Sequence, residues 1–171
     1  MTKSTKKKLQ RFLVGYSRFL GTAAIIEVIL LLIPLSVPRL FGYQTYDVVS
    51  GSMEPEIPVG SMIFVKEIVP EDVVEGDIIA FYSNSNVVCH RVTYNNIYER
   101  KLNTKGDANP DEDLNDTTYD QLIGKVEYHV PTLGIIGSYI DSSSGKLLIG
   151  EVIVIAAMLH IVSSKIKKFI I

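Results

Sequence analysis

The chain has 171 residues, a formal net charge of −2 and a single cysteine, Cys89, which fits one domain plus membrane anchors and excludes an intrachain disulfide framework. The small net charge hides a segregation: residues 1–18 carry six bases and no acid, whereas 17 of the 19 acids, against eight bases, lie between Arg39 and Lys146. An acidic middle excludes nucleic acid as a partner, because phosphates would be repelled, and basic ends flanking apolar runs predict a membrane protein with both termini cytoplasmic.

Residues 1–18 read as a cytoplasmic basic N-terminus. Phe19–Val37 approaches the ~20 residues a helix needs to cross a bilayer and is predicted to be a transmembrane anchor, although Glu27 and Pro34 interrupt it. The following Pro34-Leu35-Ser36-Val37-Pro38 has no small-x-small cleavage pattern, so the anchor is expected to stay uncleaved.

Residues 38–130 are predicted to be an extracytoplasmic β-domain. A serine held in the turn Ser50-Gly51-Ser52-Met53-Glu54-Pro55, just outside the membrane, is placed to attack a membrane-bound substrate. Ser61–Val65 and Asp77–Tyr82 are short apolar runs that follow Gly60 and Gly76, as strands bounded by turn residues do. Val87–Tyr94 and Ile97–Leu102 are predicted to pair across a tight turn at Asn95-Asn96, since asparagine tolerates positive φ. Ile123–Val130 reads as a further strand. Short strands at this spacing suggest a compact, partly closed antiparallel fold.

Residues 131–146 begin with Pro131-Thr132-Leu133-Gly134-Ile135-Ile136-Gly137, too broken by glycine and proline to span. They are predicted to rest on the membrane surface and to end in a flexible linker, Asp141–Gly145. Residues 147–164 are predicted to be a second transmembrane helix, and residues 165–171 a cytoplasmic basic tail. Glu27 and Glu151 would face one another or a partner helix, because an ion facing lipid is costly.

A serine hydroxyl needs a base to take its proton. Of the three histidines, His160 lies near the cytoplasmic end of its anchor and His129 ends the last strand, whereas His90 sits mid-strand, where its ring can be fixed. The turn-rich acidic loop Thr104–Asp113 follows the hairpin partner of that strand, so its carboxylates return toward His90, and an acid there would orient the imidazole. Lys105 in the same loop is the second-choice base, because lysine must be desolvated to be neutral. Cys89 adjoins His90 and points to the opposite face of the strand, which excludes a Cys–His pair. One cysteine and three scattered histidines make no zinc pattern, and Met53 reads as a packing residue.

Taken in order, Ser50-Gly51-Ser52-Met53-Glu54-Pro55, then His90-Arg91-Val92, then Thr104-Lys105-Gly106-Asp107 with Asp113 six residues on resemble the endoplasmic-reticulum and archaeal branch of type I signal peptidases, which also occurs in some Gram-positive bacteria. The match covers roughly Val48 to Val130. The commoner bacterial branch has lysine where this chain has His90, so the resemblance implies Ser–His chemistry. It implies Ser52 as nucleophile, His90 as general base, Asp113 as the catalytic aspartate and Asp107 as a second important acid. Ser50 would help the Ser52 backbone N–H hold the oxyanion. The family often reads Gly-Asp-Asn-Asn where Ala108 and Pro110 intervene here, and Asp111, Glu112 and Asp113 cluster; which carboxylate faces His90 is left open.

The fold implied is mainly β, a compact, partly closed antiparallel domain of signal-peptidase type with N- and C-terminal transmembrane helices. The activity implied is a membrane-bound serine endopeptidase, without cofactor or metal, that removes signal peptides from secretory preproteins after small residues of Ala-x-Ala type. Its expected partners are those preproteins and the lipid bilayer of a cell membrane crossed more than once; accessory membrane subunits are left unspecified. Two alternatives stand beside it: a catalytically silent membrane-tethered binding module, and a self-cleaving regulatory peptidase of the related fold.

Overall fold

The computed structural model describes residues 3–170; residues 1, 2 and 171, the tips of the two predicted cytoplasmic segments, lie outside the described residues. The chain forms two units. One comprises Leu35–Tyr139, and the other the helical residues up to Pro34 and from Ile140 onward.

In the helical unit, α1 (Lys3–Leu40) is longer than the predicted anchor of residues 19–37 and runs on through Pro34 and Pro38. Its early start follows from the lysines, arginines, leucines and glutamine within residues 3–18, which are good helix formers. The second helix, α3, spans Ser143–Ile170 rather than beginning at 147. Both Ser4–Leu40 and Ser143–Lys167 are long and apolar enough to cross a membrane by length and composition. Hydroxyls join the helices: Ser17 Oγ lies 2.6 Å from Ser163 Oγ, and Arg18 donates to Ser164 Oγ at 2.8 Å. Glu27 and Glu151 are both exposed on their helices.

The other unit is built on one seven-stranded antiparallel sheet in the order β1-β2-β7-β3-β4-β5-β6. Its strands are β1 (Tyr43–Asp47), β2 (Met62–Lys66), β3 (Ile78–Ser83), β4 (Asn86–Asn96), β5 (Lys101–Lys105), β6 (Thr117–Thr118) and β7 (Leu122–Val130). The antiparallel β-domain is therefore as expected in kind. Over the whole chain, however, helix (47%) exceeds strand (26%), so "mainly β" describes this unit and not the molecule. Both faces of the sheet are covered. Met53 and Ile57, from the turn after β1, pack with Ile63, Val65, Ala80 and Ile123. On the opposite face Ile79, Phe81, Val92 and Leu102 pack with Val73 and Tyr119.

Two local predictions are corrected. The hairpin turn is not at Asn95-Asn96: both belong to β4, Asn96 pairs with Lys101, and the chain reverses through residues 97–100 with Arg100 at φ 56°. Asn95 is held in the strand by long-range partners. Its side-chain amide donates to the carbonyls of Pro70 and Val73 at 2.9 Å and accepts from the Tyr119 hydroxyl at 2.8 Å. Three bonds to a partly buried amide outweigh its local preference for a turn.

The segment 131–146 is neither irregular nor a long linker. Leu133–Asp141 forms a helix, α2, and only Ser142 separates it from α3. Its glycines make this possible. A Cβ on Gly134 would overlap the Ser61 carbonyl, and one on Gly137 would lie 2.7 Å from Met62 Cε. The helix thus rests directly on β2, with Leu133 packed against Met62 and Phe64.

Candidate active site

The turn that carries Ser52 is anchored from below. Met53 and Ile57 are 1% and 0% exposed, and the Ile57 N–H donates to the Met53 carbonyl at 2.8 Å. Burying two large apolar side chains on either side of Glu54-Pro55-Glu56 pins the loop to the sheet, at roughly 1.5–3 kcal/mol for each. Met53 is thus a packing residue, as its sequence context predicted. Ser52, half-buried beside it, lines a cavity of about 480 Å³ together with Ser50 and His90.

His90 lies in β4 opposite Ile79 of β3 and is 8% exposed. Its ring packs edge-to-face with Phe81, with centroids 6.3 Å apart and planes at 67°, so the imidazole has little freedom to turn. Its Nδ1 lies 2.6 Å from Asp113 Oδ2. A carboxylate only accepts, so Nδ1 is the donor in this pair, which in the neutral ring leaves the lone pair on Nε2. Of the clustered acids, Asp113 is the one that meets the histidine.

Asp107 does something else. Arg91, the next residue after His90, forks onto it with Nε–Oδ1 at 2.8 Å and Nη2–Oδ2 at 2.7 Å. The third guanidinium nitrogen donates to the Gly76 carbonyl at 2.9 Å, and the Asp107 hydrogen bond pushes the Arg91 pKa above its ordinary value. Sequence reasoning gave Asp107 importance but no partner, and gave Arg91 no role. The bidentate pair clamps the acidic loop to β4.

The same loop touches the Ser52 turn. The Ala108 N–H donates to the Ser52 carbonyl at 2.9 Å, and a Cβ on Gly106 would come within 2.7 Å of that carbonyl oxygen. Only glycine allows so close an approach of backbone to backbone. One loop therefore contacts the backbone of Ser52 at its start and the ring of His90 at its end. Thr104, part of the motif but given no role of its own in the sequence, is 1% exposed, and its hydroxyl donates to Asp113 Oδ2 at 2.6 Å. The alternating burial of β5 turns Thr104 to the same face as Leu102, and a buried hydroxyl there needs an acceptor. That need is the signal by which it could have been found.

The remaining candidates lie elsewhere. The Lys105 ammonium donates to the Pro110 carbonyl at 3.0 Å. His129, on β7 opposite Ile63, lines a separate apolar pocket with Phe41, Phe64 and Tyr128. His160 sits in α3, 3.3 Å from the Thr22 hydroxyl. Cys89 packs against the core cluster of Met53 and Ile63, and burial pushes its thiol up to about 12, with Asp107 adding to the shift and Arg91 opposing it. The protonated form persists until the pH approaches that value. Maleimide labelling of Cys89 at pH 8 is expected to be much slower than that of an ordinary cysteine of pKa about 8.5. Free-thiol-like labelling kinetics in the native protein would contradict this.

Comparison with known proteins bears on this arrangement. A family profile described as signal peptidase, peptidase S26, matches residues 20–118, more than half of the chain. Signal peptidase I W of Bacillus subtilis (strain 168) is 47% identical over 57 residues; the aligned stretch is 32% of this chain and 30% of that protein. The chain thus spans less than a third of this curated relative. The profile match takes in the Ser52 turn, the His90 strand and the loop that joins them to Asp113, and on that extent the chain belongs to the signal peptidase family, peptidase S26.

Proposed function

We propose that the protein is a membrane-bound serine endopeptidase that removes N-terminal signal peptides from secretory preproteins, using a Ser-His-Asp arrangement of Ser52, His90 and Asp113. The observation that carries this reading is a hydroxyl and a buried imidazole on one cavity, with a carboxylate 2.6 Å behind the ring. His90 Nε2 takes the Ser52 proton as Oγ attacks the scissile carbonyl. The Ser52 N–H and the Ser50 hydroxyl hold the oxyanion, an interaction of about 3 kcal/mol in the transition state. The proton passes to the leaving amine, the peptide C–N bond breaks, and water hydrolyses the acyl-enzyme. Asp107 acts through Arg91 by holding the loop, not on the ring.

The cavity suits an extended apolar peptide. Tyr46, Asp47, Val48 and Val49 bound it on one side, Asn86, Val87 and Val88 on another, with Met53, Ile57 and Ile63 completing it. β1 is an edge strand of the sheet, so its free backbone edge is available for a substrate strand. Residues 38–130 would then face outward from a cell membrane crossed by α1 and α3, with both basic ends cytoplasmic, a topology supported by the positive charge at the two ends. Anchoring enzyme and preprotein in one layer raises their effective concentration.

The test is processing of a preprotein with alanine at the first and third positions before the cut, by the purified full-length chain in detergent. Cleavage by the wild type and none by Ser52→Ala is expected. Equal processing by both would remove the serine-peptidase reading.

A further inference from the structure

We propose that Thr104 is a positioning residue of the reaction: its hydroxyl sets the Asp113 carboxylate that orients His90. The inference rests on the peptidase reading above and deepens it. Asp113 lies in the loop between β5 and β6, outside regular structure, yet its carboxylate has to hold a ring to a few tenths of an ångström. Thr104 supplies the rigidity from the penultimate position of β5, where it pairs with Val92 two residues along from His90. It grips the same residue twice. The Asp113 N–H donates to the Thr104 carbonyl at 2.8 Å, and the Thr104 hydroxyl donates to Asp113 Oδ2 at 2.6 Å.

Oδ2 is also the atom that accepts from His90 Nδ1 at 2.6 Å, so two donors converge on one oxygen. That oxygen is thereby fixed in space and kept as an acceptor, which holds the proton on Nδ1 and the lone pair on Nε2. Thr104 is almost fully buried, so no water would replace a lost hydroxyl without opening the site. Removing it frees the carboxylate to rotate and leaves His90 with a less well-placed partner when it becomes a cation. The cost falls on the chemical step and not on substrate binding, because Thr104 is not among the residues lining the substrate cavity.

Two nearly conservative replacements separate positioning from packing. Thr104→Val keeps the shape and loses the hydroxyl; Thr104→Ser keeps the hydroxyl and loses a methyl. With the full-length chain in detergent and the alanine-containing preprotein, Thr104→Val is expected to lower kcat about 10- to 100-fold at unchanged KM, while Thr104→Ser keeps most of it. The far-downfield proton resonance of His90 Nδ1–H is expected to persist in Thr104→Ser and to move upfield or vanish in Thr104→Val. In an Asp113→Ala background, Thr104→Val should change kcat no further.

Wild-type kcat and an unmoved resonance in Thr104→Val, or a folded Thr104→Ser as impaired as Thr104→Val, would overturn the role of Thr104 while leaving an active, Ser52-dependent enzyme. A wild type no more active than Ser52→Ala would instead overturn the peptidase reading and this role with it. Should melting show Thr104→Val to be unfolded, Thr104→Ala, which puts no methyl against the carboxylate, takes its place with the same expected loss.

Discussion

Replacing His90 with alanine is expected to lower kcat by about 10⁴- to 10⁶-fold, and the double variant Ser52→Ala/His90→Ala should be no slower than either single one. The expectation follows from placement. The histidine is buried, braced by Phe81 and tied to Asp113, so its ring is held in one orientation, and alanine removes the oriented base altogether. Lys105 is occupied at the Pro110 carbonyl, and the His129 side chain lines a different pocket. On the proposed reading, nucleophile and base act as one unit, which makes their losses non-additive. Single-turnover cleavage of a preprotein by the four proteins measures this. Additive losses would mean that Ser52 and His90 serve separate steps.

The two aspartates should fail in opposite ways. Asp113→Asn keeps the side-chain shape but gives the ring an amide in place of an acceptor-only carboxylate, and kcat is expected to fall about 10⁴-fold with little change in Tm. Asp107→Asn weakens a charge-assisted fork to Arg91 whose members are 18% and 35% exposed. Its cost is expected as stability, about 1.5–3 kcal/mol, or a Tm lower by roughly 5–10 °C. Activity per folded molecule should fall less, because the loop is displaced and the ring keeps its acid. Thermal melting combined with active-site-titrated kcat separates the two. If Asp107→Asn abolished turnover without moving Tm, Asp107 would belong to the proton-transfer machinery itself.

How much of this was legible in the linear chain can be judged residue by residue. The turn at Ser52 was, because proline, glycine and a buried methionine act within six residues. The strand of His90 was, because apolar runs bounded by turn residues are also local. Asn95 misled because a side chain with turn preference was held in a strand by Pro70, Val73 and Tyr119, all far away in sequence. The 131–146 segment misled for a related reason. Its glycines read as breakers, but they are the places where a helix lies flat on β2.

What the order of residues alone determined was the chemical inventory and its rough location: a serine in a turn, a histidine in a strand, an acid-rich loop, and apolar helices at both ends with basic flanks. These are set by periodicity and local turn chemistry, which need no distant partner. Only the tertiary structure decided which acid serves the ring and which serves the scaffold. Asp107 and Asp113 stand six positions apart in one loop with the same functional group. They differ because β4 presents Arg91 to the first and His90 to the second, while β5 adds Thr104 beneath the latter. Hydrogen bonds between elements depend on register and on a loop closing back over the sheet, and neither is written in any short stretch of sequence.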